Sequence, residues 1–321
     1  MSKKTTDTSS NRIGEFELIR RFFCSDFPSS SDTVIAIGDD ASVIKPPANT
    51  ELVQSIDTQV ADVHFPATAP AHLIAQRALR CAVSDLAAMG ANPQGFHLAL
   101  TLPESDADWL KDFSDSLKKA AHELNIALMG GDTTRGKQLV ISVAVQGWVA
   151  LNQHGNSQAL TRSGAQAGDA IYCSGPIGAA ALALPQVLHN PADISGFAQA
   201  YYFPQVHLSL GQQLLNIASS CMDISDGLLQ DAGHIARSSE LVLEIDPEKI
   251  QYADPQKKQQ CLTGGDDYQL LFTSQNTNAI AELQQQFPTI HQIGVCKKGP
   301  ANVILTGPFS DITATSGFSH F

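Results

Sequence analysis

The apolar positions of this chain fall into two rhythms. "PAHLIAQRALRCAVSDLAAMG" is small and apolar almost throughout, which predicts a buried, Ala-rich helix ended by Gly90 and the Asn92-Pro93 that follows. "DADWLKDFSDSLKKAAHELN" repeats its apolar positions at helical spacing, with Ser105 or Asp106 as the cap. "GEFELIRRFF" reads as a short helix with Phe16, Ile19, Phe22 and Phe23 turned inward. The other rhythm is that of strands. "TVIAIGDDASVI" reads as a strand, a loop and the start of a second strand. "ELVQSIDTQVADVHF" alternates and reads as strands with polar residues at a break, while "GFHLALTLP", "IALMG" and "QLVISVAVQGWV" are single strands.

Past the polar stretch "NQHGNSQ" the order predicted is strand 169–173, helices 177–189 and 205–219, strand 221–224, helix 226–238, strands 241–246 and 268–273, helix 277–287 and strand 290–296. Strands and helices are therefore mixed in both halves, an α+β and α/β reading. The domain boundary is placed at the polar stretch. This gives a polar tail over 1–12, a first domain over 13–151 and a second over 159–321.

Composition narrows the chemistry. With 321 residues and 43% hydrophobic positions the chain can bury a sizeable core. Its 32 acidic against 20 basic residues leave a net charge of −12, which argues against nucleic acid or an acidic membrane surface as partner. A phosphate substrate would need a cation to bridge it to so acidic a chain. The six cysteines form no C-x-x-C and suit neither a zinc site nor a disulfide framework. Together with the polar start "MSKKTTDTSSNR" and the lack of a long apolar run, they point to a cytoplasmic protein.

The carboxylates carry the information. Asp39 and Asp40, Asp132, and Asp266 all follow glycines beside strand patterns, and Asp223 and Asp226 lie at a strand-to-helix junction. Asp57 interrupts a strand, and Asp85 sits in the apolar helix, where an ionised carboxylate is costly unless a cation or several donors meet it. Each alone has an ordinary explanation as a cap, a turn or an exposed face. Together they suit hard-oxygen coordination of several Mg²⁺ ions around a triphosphate, and hence phosphoryl transfer. "GDTTRGKQ" nearly matches a P-loop, but Gln138 stands where the hydroxyl belongs and a strand pattern follows instead of a helix. "SGPIGAAALAL" is either a phosphate site at a helix start or an ordinary turn, and Ser225 or Asp226 reads as a helix cap. Arg162, just past the boundary, is either a phosphate contact or a surface residue, and His64 either a substrate contact or structural.

The ordered series "IGDDASV", "SIDTQVADVHF", "SDLAAMGANP", "GGDTTRG", "LTRSGAQAGD", "DISDGL", "TGGDDYQLLF" and "GFSHF" resembles the thiamine-monophosphate kinase family from about residue 14 to the end of the chain. The resemblance implies a PurM-like two-domain architecture. Its N-terminal α+β domain would pair with a second copy through its sheet into a barrel, forming a homodimer, and its C-terminal α/β domain would close over the nucleotide. It implies ATP as co-substrate, thiamine phosphate as acceptor and several Mg²⁺ ions. It implies metal ligands at Asp39, Asp40, Ser55, Ile56, Asp57, Asp85, Asp132, Asp223 and Asp226, with Asp132, Asp40 and Asp226 central to catalysis. It further implies nucleotide contacts at Gly131, Asp132, Arg162 and Ser225, and substrate contacts at His64, Asp266 and Phe318. Three motifs depart from the family pattern: Ile56 stands for Thr, Asp266 for Glu, and Phe318-Ser319 for Tyr-Asp. The alternatives are another ATP-dependent enzyme of the same superfamily acting on a different acceptor, or a non-enzymatic acidic metal-binding protein.

Overall fold

The computed structural model describes residues 14–309. The first half runs α1 (Glu15–Phe22), β1 (Thr33–Ile35), β2 (Val43–Ile44), β3 (Thr50–Val60), α2 (Ala71–Ala88), β4 (Asn92–Leu102), α3 (Ala107–Leu124), β5 (Ala127–Arg135) and β6 (Val140–Ala150). The second half runs β7 (Ala170–Cys173), α4 (Ala179–His189), α5 (Ala198–Tyr202), α6 (Leu208–Gln213), β8 (Ser220–Asp223) and α7 (Leu228–Ser239). It continues with β9 (Leu241–Ile245), α8 (Lys258–Thr263), β10 (Leu270–Ser274), α9 (Thr277–Gln286), β11 (His291–Lys298) and β12 (Asn302–Leu305). Among these strands, each half builds its own principal sheet: four strands in the order β3-β6-β4-β5, and six in the order β12-β9-β11-β7-β10-β8.

Alternation decides what each face of the four-stranded sheet carries. Val53 and Gln59 are buried, Ser55 and Asp57 half-buried, while Gln54, Ile56 and Thr58 between them are exposed. The same holds in β4, where Leu98, Leu100 and Leu102 are buried and Ala99 is exposed. The covered face packs on α2 and α3. α2 buries 15 of its 18 residues, since it lies between its own sheet and elements of the second half, α5, α6 and β8. The opposite face of the sheet is open on much of its area, leaving Ile56 67% exposed.

Asp106 caps α3 by accepting from the backbone N–H groups of Asp108 and Trp109, and Asn125 ends that helix in the left-handed conformation. Four expectations are corrected. Phe16 is 84% exposed rather than inward, because α1 packs through Leu18 and Phe22. The helix expected over 205–219 is regular only over Leu208–Gln213. The break expected within 51–65 falls at its end, since β3 is one strand from Thr50 to Val60. Finally, α5, α8 and β12 carry patterns too short for periodicity to reveal.

Candidate active site

Three loops of the second half meet one stripe of α2. Arg77, Cys81, Ser84 and Asp85 are spaced i, i+4, i+7 and i+8, so they share a helix face. Ser55 donates from its Oγ to Asp85 Oδ2 at 2.5 Å, and Ser84 donates to Asp223 Oδ2 at 2.6 Å. Burial pushes the Asp85 carboxyl above its usual range, against the Ser55 hydrogen bond, and the Asp57 charge adds to the upward shift. Burial pushes Asp223 up to about 7, with the charge of Asp85 adding to it. Arg162 is exposed, yet its charge reaches both groups and opposes both shifts. Asp57, Asp85, Asp223 and Arg162 are thus one electrostatic unit on the covered side of the sheet, drawn from four separate segments.

The turn after β8 completes this side. Neither Ser225 nor Asp226 caps α7. The helix begins at Leu228, and the buried Asp231 turns back so that its Oδ2 accepts from the N–H groups of Asp226 and Gly227 at 3.0 and 3.1 Å. Burial, then the Asp226 charge, push Asp231 up to about 7. Among the described residues, Asp226, Asp231 and His234 each offer one ligand atom, all within 4.8 Å of one another. Asp231 and His234 were missed from the sequence. Their signal was the spacing Asp-x4-Asp-x2-His, which puts the last two on one face of α7. The other covered-side carboxylates do not close to that distance as a set, so an ion shared by them would draw further oxygens from water or phosphate, as Mg²⁺ commonly does.

Loop Gly264–Tyr268 runs alongside this turn. The N–H of Asp266 donates to Ser225 O and that of Tyr268 to Ile224 O. Gly265 is needed for the approach: a Cβ there would lie 2.5 Å from Ser225 O. Asp266 bonds to Arg77 at 2.8 Å. The next residue, Asp267, accepts from Gly178 N–H at 2.7 Å, so the start of α4 already holds a buried carboxylate. That excludes the reading of "SGPIGAAALAL" as a phosphate site. His64 Nδ1 accepts from Val60 N–H, and its backbone oxygen accepts from Tyr201 Oη. Phe318 lies outside the described residues.

The remaining carboxylates lie elsewhere. In β5, Asp132 is in register with Ala99, which is in register with Ser142 of β6, itself opposite Thr58 of β3. Asp132 therefore points to the open face, whereas Asp57 points to the covered one. On the open face Asp39, Asp40, Asp132, Ser142, His97 and Ile56 line a cavity of about 950 Å³. Gly131 allows β5 to pair closely with β4, since a Cβ there would meet Leu98 O at 1.9 Å. The strand continues to Arg135 with no helix after it, which excludes the P-loop reading. The structure thus gathers Ser55, Asp57, Asp85, Asp223 and Arg162 on one face, with Ser225 and Asp226 in the adjoining turn. It places Asp39, Asp40 and Asp132 on the other, and turns the Ile56 side chain away from Asp57.

Residues 38–149 match the N-terminal domain of AIR synthase related protein. The chain is 34% identical to the thiamine-monophosphate kinase of Haemophilus influenzae, over 96% of its own length and 98% of the relative's. Among solved structures it resembles the thiamine-monophosphate kinase of Stenotrophomonas maltophilia K279a, with 36% identity, a TM-score of 0.78, and coverage of 86% of this chain and 92% of that one. It also resembles AaThiL complexed with AMPPCP and TMP, with 26% identity, a TM-score of 0.75, and coverage of 89% and 92%. With its motifs in order along nearly the whole length and the same two-sheet fold beneath them, the chain belongs to the thiamine-monophosphate kinase family.

Proposed function

We propose that this protein transfers the γ-phosphoryl group of ATP to thiamine phosphate, giving thiamine diphosphate and ADP by direct in-line displacement. The observation that carries the reading is the Asp57–Asp85–Asp223 unit, in which burial pushes the Asp85 and Asp223 carboxyls up, the Asp57 charge adds to the shift of Asp85 and the Asp85 charge to that of Asp223. Such a set is costly in isolation and becomes favourable only against cations. Its hard oxygens suit Mg²⁺, which when bound would neutralise and orient the phosphates. Arg162, whose charge already acts on Asp85 and Asp223, would meet phosphate charge from the second half. Ser225 and Asp226 lie in the turn that would receive the nucleotide, and His64 and Asp266 are the proposed acceptor contacts. The acceptor's own phosphate oxygen is ionised at neutral pH, so no strong general base is required of the chain.

Asp132, Asp39 and Asp40 enter this site only if a second copy supplies them. In one chain Asp132 and Asp57 occupy opposite faces and the two edges of the sheet, β5 and β3. Two copies joined edge to edge, β3 of one beside β5 of the other, would make the strands that carry Asp57 and Asp132 neighbours across the seam. The same joining would cover Leu52 and Ile56, now 47% and 67% exposed. We therefore read the enzyme as a homodimer with a barrel formed by both sheets and composite sites at its seams. Residues 13–151 would form the dimerisation domain, and 159–321 the domain that completes the nucleotide and substrate site.

The decisive assay mixes the protein with ATP, Mg²⁺ and thiamine phosphate and separates the products. Thiamine diphosphate appearing one for one with ADP, and lost with a chelator, is the expected result. ADP without thiamine diphosphate would point to another acceptor, and no nucleotide turnover by folded protein would overturn the reading.

A further inference from the structure

We infer that Arg77 is a positioning residue for the phosphate acceptor: it fixes one oxygen of Asp266, and through Tyr201 the backbone at His64, so that both proposed acceptor contacts are aimed from one buried guanidinium. The inference rests on the kinase reading above. Arg77 is only 2% exposed. One terminal nitrogen donates to Tyr201 O at 2.9 Å and the other to Asp266 Oδ1 at 2.8 Å. The plane lies over the Tyr201 ring, 4.1 Å from its centre. Tyr201 Oη in turn donates to His64 O at 2.6 Å. Arg77 thus ties together segments far apart in sequence: the corner after β3, the short helix α5, and the loop before β10, which lies 189 positions from it.

The division of labour at Asp266 gives the network its sense. Oδ1 accepts from both Arg77 and Tyr268 Oη, the latter at 3.1 Å. Oδ2 accepts no hydrogen bond from the described residues, and the side chain is 33% exposed. One oxygen anchors while the other remains available to an N–H donor or a cationic ring. The backbone agrees, since Asp266 has φ +67°, a left-handed conformation that a non-glycine residue holds only where its surroundings enforce it. The anchoring comes at the expense of the guanidinium itself, whose buried Nε–H has no partner. Lysine cannot reproduce the arrangement, because a single ammonium lacks both the planar fork and the stacking face.

The test compares Arg77→Met, Arg77→Lys, Asp266→Asn and the double variant Arg77→Met/Asp266→Asn. Steady-state kinetics on both substrates is combined with calorimetric binding of thiamine phosphate. Arg77→Met is expected to raise the KM and Kd for thiamine phosphate roughly tenfold or more, leaving the KM for ATP within about twofold. Arg77→Lys should fall between it and wild type. The double variant should be no worse than its worse parent, because both changes cut one linkage. Should Arg77→Met fail to fold, Arg77→Lys and Asp266→Asn carry the comparison. An unmoved thiamine phosphate KM, equal loss on both substrates, or effects that multiply in the double variant would overturn the positioning role alone. A folded wild type that neither binds nor converts thiamine phosphate would overturn the kinase reading, and this inference with it.

Discussion

The two faces of the four-stranded sheet handle negative charge in opposite ways. On the covered face Asp223 is buried and Asp85 half-buried, each met by one serine hydroxyl and the more distant Arg162. On the open face Asp39, Asp40 and Asp132 are exposed to solvent around a wide cavity. The first group is strained electrostatically and waits for a counter-charge. The second faces water, which screens its charges. The difference teaches that one chain holds two unlike groups of carboxylates on opposite faces of a sheet, which the proposed phosphate site would draw on together only with a second copy.

The strongest way to break this comparison is subunit mixing. Asp132→Asn and Asp57→Asn should each lower activity at least about a hundredfold, since each removes a proposed metal ligand at the phosphates. Refolding the two inactive variants together should restore activity to about a quarter of wild type. Half the dimers would be hybrids, and half the sites in each hybrid would carry both intact aspartates. Mixtures as inactive as their parents would show that each site is built within one chain.

A second test concerns the covered face alone. Asp223 titrates near 7 in the folded chain, well above the ordinary carboxylate value, so the folded state holds a proton that the unfolded state has released over that interval. Without metal, this group contributes stability that is present below about pH 4 and is lost as pH rises toward 7. On the proposed reading, Mg²⁺ bound there would replace the proton as counter-charge. Added Mg²⁺ should therefore raise the melting temperature more at pH 8 than at pH 5, by about 2–5 °C. The difference between the two conditions removes contributions from groups remote from the site, among them His207, which burial lowers to about 4. An Mg²⁺ effect that shrinks as pH rises would contradict the burial argument.

How far this arrangement is legible in the sequence depends on range. Alternation in "QSIDTQ" places Ser55 and Asp57 together and Ile56 opposite, and apolar context marks Asp85 as unusual. The cap of α3 reads as Ser105 or Asp106, and the structure selects Asp106. The relation of Asp132 to Asp57 is invisible, because it depends on strand order and register across four strands, which local pattern does not specify. Arg77 looks like one more cation on a helix until the fold brings Asp266 and Tyr201 to it. Asp231 and Asp267 satisfy backbone N–H groups of turns that no propensity locates.

The smallest expected effects sharpen the same contrast with matched chemistry. Ser84 and Thr58 each make a hydroxyl hydrogen bond, to Asp223 at 2.6 Å and to Ser142 Oγ at 2.8 Å. Ser84 is buried on the covered face and Thr58 exposed on the open one. Ser84→Ala leaves a buried carboxylate oxygen without its donor and should cost about 1–3 kcal/mol in metal-free protein at pH 8, less at pH 5 where Asp223 is protonated. Thr58→Ala leaves its partner in water and should cost about 0.5 kcal/mol or less. Denaturant unfolding at both pH values measures all four quantities. If the open face is closed by a second copy, the cost of Thr58→Ala should grow with protein concentration, whereas that of Ser84→Ala, lodged within one chain, should not.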